Sequence, residues 1–540
     1  MNEGYFPALF YWLDIITLVL YNKAACGPVC PGEWNDAMNG IGTYILFGLG
    51  ALLAYEAARA LVLGAVRSRL YRSVREYLDD NRVRLDRYKF MQKVIIKHEL
   101  MNDPEVHQGI VDHARQKQAK ICDVQDQVEG YIEEIVPFFN LLSYYKLGYW
   151  VANSFLNMIY EVVIDRENAE KLKKIPPDSV VVFVMNHRSN IDYILVAYML
   201  ARQISLSYAV GEWARVWPLE YIFKSFGAYF IRRRYREKLY HLVLEKYVQL
   251  ISLQGVTQGI FLEGGLSRDG RLRAAKIGIL DYIIRIKKNP GFDRELVFVP
   301  AAINYDWVLE DRTLVQEWKK GKEKSGFRDH LSTLFRVIGK GPLLLVFNLA
   351  RYASGRLKQH GAASVSFGSP VFLSEFLAKE KKNLFTLPRE ARLSRVQEFA
   401  DGLLLRIGKA IPVTPVCITS RALVVLAKER LTKTELTMKV AELRKKCRSK
   451  GGRLVQGRAF ESSRKIIDGI EREKRDRTKE LVDFEEDLLE FEQSLETVEA
   501  ALDVLVRRKI VSVRQGRLLV NPGRSVLLEY YSNSLDRLLG

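Results

Sequence analysis

The hydrophobic pattern divides the chain into regions of different structure. Two apolar segments lie near the start, residues 6–21 and 41–66, and each is close to the roughly 20 apolar residues that a membrane-spanning helix needs. A charged, helix-prone stretch follows as far as residue 128. Beyond Pro176 short β-prone runs alternate with longer helical patterns, and helices dominate again past Leu373.

The alternating region carries the prediction of the fold. Its β-prone runs are VVVFVM, ISLSYAV, GIFLE, LVFVPAAI and ASVSFG, and the segment IVSVRQGRLLV near the end predicts a hairpin. Buried strands separated by helices predict an α/β fold with a mixed, largely parallel sheet and helices on both faces. We therefore expect membrane-associated helices in residues 1–66, a helical region in 67–165, the α/β domain in 166–375, and a helical C-terminal region with a short hairpin in 376–540.

One helix of the second region is predicted to be amphipathic. Across residues 135–163 a narrow polar stripe recurs at three- to four-residue spacing on an otherwise apolar surface, and Pro137 suits the first turn of such a helix. The pattern fits both a membrane interface and packing against a protein core.

The chain is strongly basic, with 83 Lys and Arg residues against 64 Asp and Glu and a formal charge of +19. Such a surplus attracts nucleic acid, anionic lipid, acidic proteins or phosphorylated substrates, although a solvated basic surface has the same composition.

Ten basic residues lie between Arg67 and Lys97, whereas Lys23 is the only one before Arg59. This asymmetry predicts a cytoplasmic location for everything after Val66 if either apolar segment spans a membrane. Two buried helices of a soluble domain are the alternative.

Cysteine usage favours a cytosolic location for the main body of the chain. The five cysteines are too few and too scattered for a disulfide framework or a zinc module. Cys26 and Cys30 bracket a turn-rich segment and would pair only if that loop faced an oxidising compartment. No basic segment precedes the first apolar run, which argues against a cleaved signal peptide.

A dense polar cluster separates VVVFVM from the apolar helical run that follows it. Within this cluster His187 and Asp192 have the residue types of a general base and its orienting carboxylate. The same spacing recurs at His98 and His107, and in a regular helix a five-residue step turns about 140°, so that the two side chains would point apart. Only His187 follows a strand-like run and precedes an apolar helix, which puts it where open α/β sheets place their sites. A structural histidine is the alternative.

Two further stretches end strand-like runs with groups that bind anions. GAYFIRRRYREK places Arg232, Arg233 and Arg234 after an apolar run, and Arg grips phosphate bidentately, although a solvated basic loop looks the same. GIFLEGGLSRDGRLRAAKIG places glycines and several donors after Glu263, where a polar surface turn is the alternative. The chain has neither a P-loop nor the Gly-x-Ser-x-Gly motif of serine hydrolases.

In this order NHRSNIDYILVAY, GAYFIRR, FLEGGLSRDGR and VPAAINY resemble the four sequence blocks of the glycerolipid acyltransferase family. They are most similar to the bacterial membrane-bound glycerol-3-phosphate acyltransferases and their dihydroxyacetone-phosphate relatives. The resemblance extends to YEVVIDREN, VSFGSPV and the terminal LLEYYSNSL, so it covers residues 160–371 firmly and the last third of the chain loosely.

The resemblance implies a role for each matching position. His187 would take the proton from the primary hydroxyl of the acceptor, with Asp192 as its orienting partner. Arg232 and Arg233 would hold the acceptor phosphate. Pro300 lies in the block linked to the fit of the acyl chain or acceptor. The acceptor pocket would be shaped by Glu263, Gly264, Ser267 and Arg268. The scheme requires no covalent acyl-enzyme, metal or cofactor.

One position departs from the family pattern. Much of the family has Arg before the serine of the third block, where this chain has Leu266. The phosphate contact is either lost or supplied by Arg268, Arg271 or Lys276. Glycerol-3-phosphate, dihydroxyacetone phosphate and lysophosphatidate therefore all stay open as acceptors, and the length of the chain favours the first two.

The resemblance implies acyl transfer from acyl-CoA or acyl carrier protein to the sn-1 hydroxyl of glycerol-3-phosphate, the first step of phospholipid synthesis. The expected location is the bacterial inner membrane, with the catalytic domain on the cytoplasmic side. Expected partners are membrane lipids and, on the donor side, an acyl carrier protein, but no nucleic acid. Alternatives of another class are a non-catalytic lipid-binding protein and a basic nucleic-acid-binding protein whose hairpin belongs to a winged-helix-like module.

Overall fold

The structure is a computed structural model of the chain. It describes residues 93–137, 149–165, 170–200, 207–211, 227–232, 235–319, 359–380, 382–427, 430–457, 459–460 and 479–540, with isolated positions elsewhere. The chain divides into two compact units, Met1–Glu76 and Tyr77–Gly540. The described positions of the first unit are Tyr55, Ala58, Leu61 and Ala65, all of them helical. The expected membrane-associated helices of residues 1–66 otherwise lie outside the described residues.

Within the described residues, the second unit is built on an eight-stranded sheet. Its strands are β1 (Glu161–Ile164), β2 (Val180–Met185), β3 (Ser207–Gly211), β4 (Ala228–Ile231), β5 (Gln258–Phe261), β6 (Leu296–Tyr305), β7 (Ala362–Phe367) and β8 (Val371–Phe372). They lie in the order β1-β7-β6-β2-β5-β3-β4, with β8 also paired to β6. The strands from β6 to β4 are parallel, whereas β7 and β8 run antiparallel to β6. The predicted mixed, largely parallel sheet is confirmed.

Helices cover both faces of this sheet, also as predicted. One face carries α1 (Lys93–Met101), α2 (Pro104–Lys117), α3 (Ile121–Ile135), α6 (Lys238–Leu253), α7 (Gly278–Ile284), α9 (Leu373–Leu377) and α10 (Arg389–Ala410). The other carries α4 (Tyr149–Ile159), α5 (Asp192–Leu200), α8 (Asp311–Lys319), α11 (Pro415–Leu426), α12 (Lys433–Ser449), α13 (Lys479–Arg507), α14 (Ser525–Ser532) and α15 (Asp536–Leu539). Within the described residues, no helix has both the length and the apolar composition that crossing a membrane requires.

β2 shows why the pattern VVVFVM predicts a central strand. Successive side chains of a strand point to opposite faces. Val182 and Val184 therefore join the core beneath α6, while Phe183 and Met185 join the core beneath α5. All six residues of β2 are buried because both faces of the sheet are covered.

The amphipathic helix ends earlier than the sequence suggested. α4 stops at Ile159, and residues 161–163, expected to be helical, belong to β1, which pairs in parallel with β7. The backbone of the β-branched run after Glu161 forms hydrogen bonds with β7. If this run were helical, that edge of β7 would have no pairing strand here. Pro137 follows α3 and is not itself helical, and residues 138–148 lie outside the described residues. Leu156 packs into the core, as one of the two interpretations of the segment expected.

The C-terminal region adds two small sheets to the helices. The predicted hairpin is confirmed as β13 (Val511–Arg514) and β14 (Arg517–Val520), which β10 (Leu431–Thr432) extends to three strands. The second sheet contains β9 (Pro412–Val413), β11 (Arg453–Gln456) and β12 (Ala459–Phe460).

Candidate active site

The turn after β2 brings His187 and Asp192 together. The strand ends at Met185 and α5 begins at Asp192. Nδ1 of His187 lies 2.8 Å from Oδ2 of Asp192. The side chains converge because the imidazole precedes the helix and the carboxylate belongs to its first residue. This is the geometry that the sequence pattern required, while the catalytic roles of the two residues stay predictions.

Two side chains hold the imidazole: Asp192 contacts its Nδ1, and Phe261 packs against the face of its ring. His187 is only 6% exposed, and its ring stacks on Phe261 with the centroids 4.2 Å apart. Because Nδ1 faces a carboxylate, it carries the proton of the neutral ring and leaves Nε2 as the acceptor. Nε2 forms no hydrogen bond with any described residue. It is therefore the ring nitrogen that can still accept a hydrogen bond.

Four donors hold the carboxylate of Asp192, which is fully buried. Besides the imidazole, Oδ2 accepts the backbone N–H groups of Arg188 at 2.6 Å and Ser189 at 3.0 Å. Oδ1 accepts the hydroxyl of Tyr305 at 2.7 Å. These four donors take the place of the water molecules that would hydrate an exposed carboxylate. Tyr305 belongs to the block VPAAINY, but the sequence assigned it no role because the contact depends on β6 lying beside β2.

Polar side chains fasten the turn to β6 and to the segment after it. The amide of Asn186 donates to the carbonyl of Ile303 at 2.9 Å and accepts its N–H at 2.7 Å, which continues the pairing of β2 with β6. Ser189 Oγ and the N–H of Asn190 donate to the carboxylate of Glu310, at 2.7 and 3.2 Å. Burial raises the pKa of Glu310. Nothing in the sequence pattern pointed to Glu310, which lies outside the four blocks.

Arg188 points into the protein although it neighbours His187. Its side chain is 2% exposed, and Nη1 donates to the carbonyl of Gly270. Nη2 donates to Asn304 Oδ1 at 3.1 Å, and the guanidinium lies 5.4 Å from the ring centroid of Tyr530. Arg188 thus joins the turn to β6, to the C-terminal region and to residues 264–276 after β5, which we call the glycine loop.

Glu263 joins the two loops that frame the site. One carboxylate oxygen accepts the N–H of His187 at 2.8 Å, and the other accepts the N–H of Arg273 at 2.8 Å. In return, the N–H of Ser267 donates to the carbonyl of His187 at 2.9 Å. Burial raises the pKa of Glu263 to about 7. The structure therefore places Glu263 behind the imidazole, with both oxygens occupied by backbone groups.

The glycine loop is shaped by local contacts. Gly264 has a φ of +62°, and a Cβ there would lie 2.9 Å from Cγ of Lys276. Ser267 Oγ donates to the carbonyl of Arg271 at 2.7 Å, which closes the loop. Ser267 therefore contacts His187 through its backbone N–H, while its side chain and the backbone of Gly264 shape the loop itself. The expected part of both residues in the acceptor pocket stays a prediction.

The cations of the glycine loop differ in their partners. Arg268 pairs with Glu317 at 3.0 Å, and Arg271 pairs with Asp536 at 2.7 Å. Lys276 is exposed and forms no ion pair within the described part of the chain.

Arg232 lies at the same edge of the sheet but in a different environment. It follows β4, three strands from β2, which corresponds to about 14 Å at the usual strand spacing. Nε and Nη2 both donate to the carboxylate of Glu134 on α3, whose side chain is 5% exposed. The guanidinium also faces the rings of three tyrosines. These are Tyr131, Tyr235 and Tyr240, with centroids 5.9, 4.9 and 5.8 Å away. Arg233 lies outside the described residues.

Pro300 lies inside the sheet rather than at its edge. Its Cα partner on β2 is Val184, three residues before His187, which is about 10 Å along the strand. β7 pairs with β6 from Ala301 onward, and β8 pairs with β6 up to Phe298. Pro300 lies in the gap between these two pairings, where a strand residue without an N–H is tolerated. Its position does not bring it to the imidazole.

The other two histidines with the same spacing lie on the surface. His98 and His107 are exposed on α1 and α2. Asp103, five residues after His98, caps α2 instead by accepting the N–H groups of Glu105 and Val106. Within the described residues no cluster of His, Cys, Asp or Glu is arranged to hold a metal ion.

Comparison with known proteins identifies the family of the chain. The acyltransferase family model matches residues 163–304, and the model for the glycerol-3-phosphate acyltransferase C-terminal region matches residues 346–494. A solved 1-acyl-sn-glycerophosphate (LPA) acyltransferase from Thermotoga maritima aligns with 49% of this chain and 80% of its own, at 16% identity and a TM-score of 0.26. That likeness is too weak to add to the fold described above.

Relatives by sequence agree with the family models. A glycerol-3-phosphate acyltransferase of Aeromonas hydrophila is 27% identical over 385 residues, which are 69% of this chain and 44% of the relative. One from Pasteurella multocida is 26% identical over 409 residues, 73% of this chain and 47% of the relative. The chain spans about half the length of the curated relatives it matches. Because the two family models match residues on either side of residue 320 and the relatives by sequence agree with them, the chain belongs to the glycerol-3-phosphate acyltransferase family.

Proposed function

We propose that the chain transfers an acyl group from a fatty acyl thioester to the sn-1 hydroxyl of glycerol-3-phosphate, with His187 as the general base. The observation that carries the proposal is the contact of His187 with the buried carboxylate of Asp192 at the carboxyl edge of the sheet. A neutral imidazole with its acceptor nitrogen unoccupied is the group that an alcohol needs for attack at neutral pH.

The reaction follows from this geometry. Nε2 of His187 takes the proton of the acceptor hydroxyl as the oxygen attacks the thioester carbonyl. Asp192 stays ionised and stabilises the imidazolium. When the tetrahedral intermediate collapses, the carbon–sulfur bond breaks and the imidazolium returns the proton to the departing thiolate. No group of the protein becomes acylated, and the scheme uses neither a metal nor a cofactor.

The acceptor phosphate is the second element of the proposal. In glycerol-3-phosphate the attacking hydroxyl and the phosphate are only a few bonds apart. The cations that bind the phosphate must therefore lie near His187. Arg268 and Arg271 already have carboxylate partners. Arg273 and Lys276 are exposed, and their backbone N–H groups bind the side chain of Glu263 and the carbonyl before it. We assign the contact that Leu266 cannot make to these two, with Arg233 as the further candidate from the second block.

The donor and the location complete the proposal. Acyl-CoA carries phosphates and acyl carrier proteins are acidic, so the formal charge of +19 suits either donor and also an anionic membrane surface. We propose the cytoplasmic face of the bacterial inner membrane as the place of the reaction and phospholipid synthesis as its purpose.

The decisive experiment is an acyltransferase assay on the full chain in detergent, with palmitoyl-CoA and radiolabelled glycerol-3-phosphate. His187→Ala should reduce lysophosphatidate formation by about 10²- to 10⁴-fold, the usual contribution of a general base. His98→Ala and His107→Ala are the matched controls, because they have the same spacing to an aspartate but no contact with it. They should keep wild-type activity.

Two outcomes would contradict the proposal. If the wild-type protein forms no lysophosphatidate, the chain is a binding protein or uses another acceptor, which competition with dihydroxyacetone phosphate and lysophosphatidate would identify. If all three alanine variants lose activity equally, His187 is not the base.

A further inference from the structure

Tyr305 is the least expected member of the site. It is the last residue of β6, fully buried, and its hydroxyl donates to Oδ1 of Asp192 at 2.7 Å. The other three donors to Asp192 all bind Oδ2. Within the described residues Tyr305 is therefore the only donor to Oδ1.

The surroundings keep this hydroxyl protonated. Burial, followed by the negative charge of Asp192, raises the pKa of Tyr305 well above its ordinary value. A phenol whose pKa is raised in this way stays protonated, so it remains a hydrogen-bond donor to the carboxylate. The bond also links two neighbouring strands. Asp192 begins α5 after β2, and Tyr305 is the last residue of β6 beside it.

The geometry points to Tyr305 as a positioning residue for acyl transfer: its hydroxyl holds one oxygen of Asp192 so that the other oxygen stays aligned with His187. This inference rests on the proposed function and deepens it. Without the hydroxyl, the buried Oδ1 would have no donor. The three donors to Oδ2 would keep the carboxylate beside the imidazole, but its orientation would no longer be fixed from the other side.

The loss of the hydroxyl also has an electrostatic consequence. A carboxylate with fewer donors presents a less neutralised charge to its neighbours, so it stabilises the imidazolium of His187 more strongly. The base would then stay protonated to higher pH, and the acidic limb of the rate profile would move upward. The charged and titratable groups around the pair are Glu263, which accepts the backbone N–H of His187, together with Arg188, Tyr160, Tyr193, Glu310 and Tyr530. A phenylalanine at position 305 changes none of them.

Tyr160 supplies a matched control. It is also a fully buried tyrosine, its ring centroid lies 5.4 Å from that of Tyr305, and burial raises its pKa in the same way. Its hydroxyl, however, donates to the carbonyl of Trp307 at 2.6 Å. Tyr160→Phe and Tyr305→Phe therefore remove the same atom and one buried hydrogen bond each, but only the second touches Asp192.

The test measures acyl transfer by both variants and by the wild type against pH, with glycerol-3-phosphate and palmitoyl-CoA. For Tyr305→Phe we expect kcat to fall by about tenfold or more, where tenfold corresponds to about 1.4 kcal/mol of transition-state stabilisation. KM for glycerol-3-phosphate should be unchanged, and the acidic limb should move to higher pH. Tyr160→Phe should keep the wild-type limb and KM. The position of the limb does not depend on how much of each variant is folded.

The inference fails if Tyr305→Phe has the same kcat and the same acidic limb as Tyr160→Phe, or if its only effect is on KM. His187→Ala, measured in parallel, separates this result from failure of the proposed function. Loss of activity in His187→Ala together with a wild-type profile in Tyr305→Phe rejects the role of Tyr305 alone. Full activity in His187→Ala rejects the proposed function itself.

Discussion

Three carboxylates at the carboxyl edge of the sheet are buried, and each is held by a pair of backbone N–H groups. Asp192 binds those of the turn after β2, and Glu263 binds one from that turn and one from the glycine loop. Asp306 binds the N–H groups of Ala362 and Val416, both at 2.8 Å. Each carboxylate therefore fastens separate segments of the chain together. Burial raises the pKa of Glu263 to about 7 and that of Asp306 to about 6.

The raised pKa of Glu263 makes the stability of the fold depend on pH. Because the pKa rises from 4.5 in the unfolded chain to about 7 in the fold, the carboxyl contributes stability that is fully present below pH 4.5 and lost as pH rises to about 7. The difference corresponds to about 3 kcal/mol. Glu263→Gln cannot lose a proton, so we expect its free energy of unfolding to fall less steeply than that of the wild type between pH 4.5 and 7. Denaturant titrations across this range measure the difference, and parallel curves would contradict it.

At the scale of elements, α3 is joined to the end of β4 by a charge pair inside an aromatic cluster. Arg232 donates to Glu134, and tyrosine rings from α3, from α6 and from the segment before α6 surround the guanidinium. Glu237, which precedes α6, accepts the hydroxyl of Tyr131. The helical region before the sheet is therefore attached at the edge where the site lies. This arrangement gives Arg232 a partner before any substrate arrives.

The two possible roles of Arg232 predict different kinetics. If it anchors α3, Arg232→Gln and Glu134→Gln should lower the free energy of unfolding by similar amounts, about 2 kcal/mol or more for a largely buried pair, and leave KM for glycerol-3-phosphate unchanged. We expect this result. If it binds the acceptor phosphate, only Arg232→Gln should raise KM, since Glu134→Gln keeps the guanidinium. Steady-state kinetics and denaturation of both variants distinguish the two.

Sequence alone could predict elements better than the contacts between them. Runs such as VVVFVM and LVFVPAAI report their structure locally, because buried parallel strands are continuously apolar. The end of α4 was missed because the β-branched run after Glu161 fits an apolar helix as well as a strand, and only pairing with β7 decides. The contact of His187 with Asp192 was predictable because both belong to one turn. The hydrogen bond from Tyr305 was not, since it depends on the order of strands in the sheet.

At the scale of the whole molecule, the C-terminal region is part of the wall of the site. Arg508 and Tyr531 both bind the carboxylate of Asp311 at the start of α8, and Arg453 binds Asp165 at the end of β1. The glycine loop is held in the same way. Asn533 donates to the carbonyl of Asp269, and Asp536 accepts from Arg271 and Arg421. A chain that lacked this region would leave these buried polar groups of the α/β domain without partners. We infer that the loop carrying Ser267 keeps its shape only while α14 and α15 are docked.

Gly270 offers a direct test of that dependence. Its φ is +87°, and a Cβ there would lie 1.8 Å from the carbonyl oxygen of Tyr530, so Gly270→Ala must displace either the loop or α14. Gly516, in the hairpin between β13 and β14, has a φ of +71°, and a Cβ added there would meet no described atom within 4 Å, which makes Gly516→Ala the matched control. The control adds only the strain of a left-handed alanine, about 1 kcal/mol. We expect Gly270→Ala to lose most of its acyl transfer per folded molecule, because the carbonyl that holds Arg188 moves with it, while Gly516→Ala stays close to wild type. Equal activity of the two variants would mean that the C-terminal region does not shape the site.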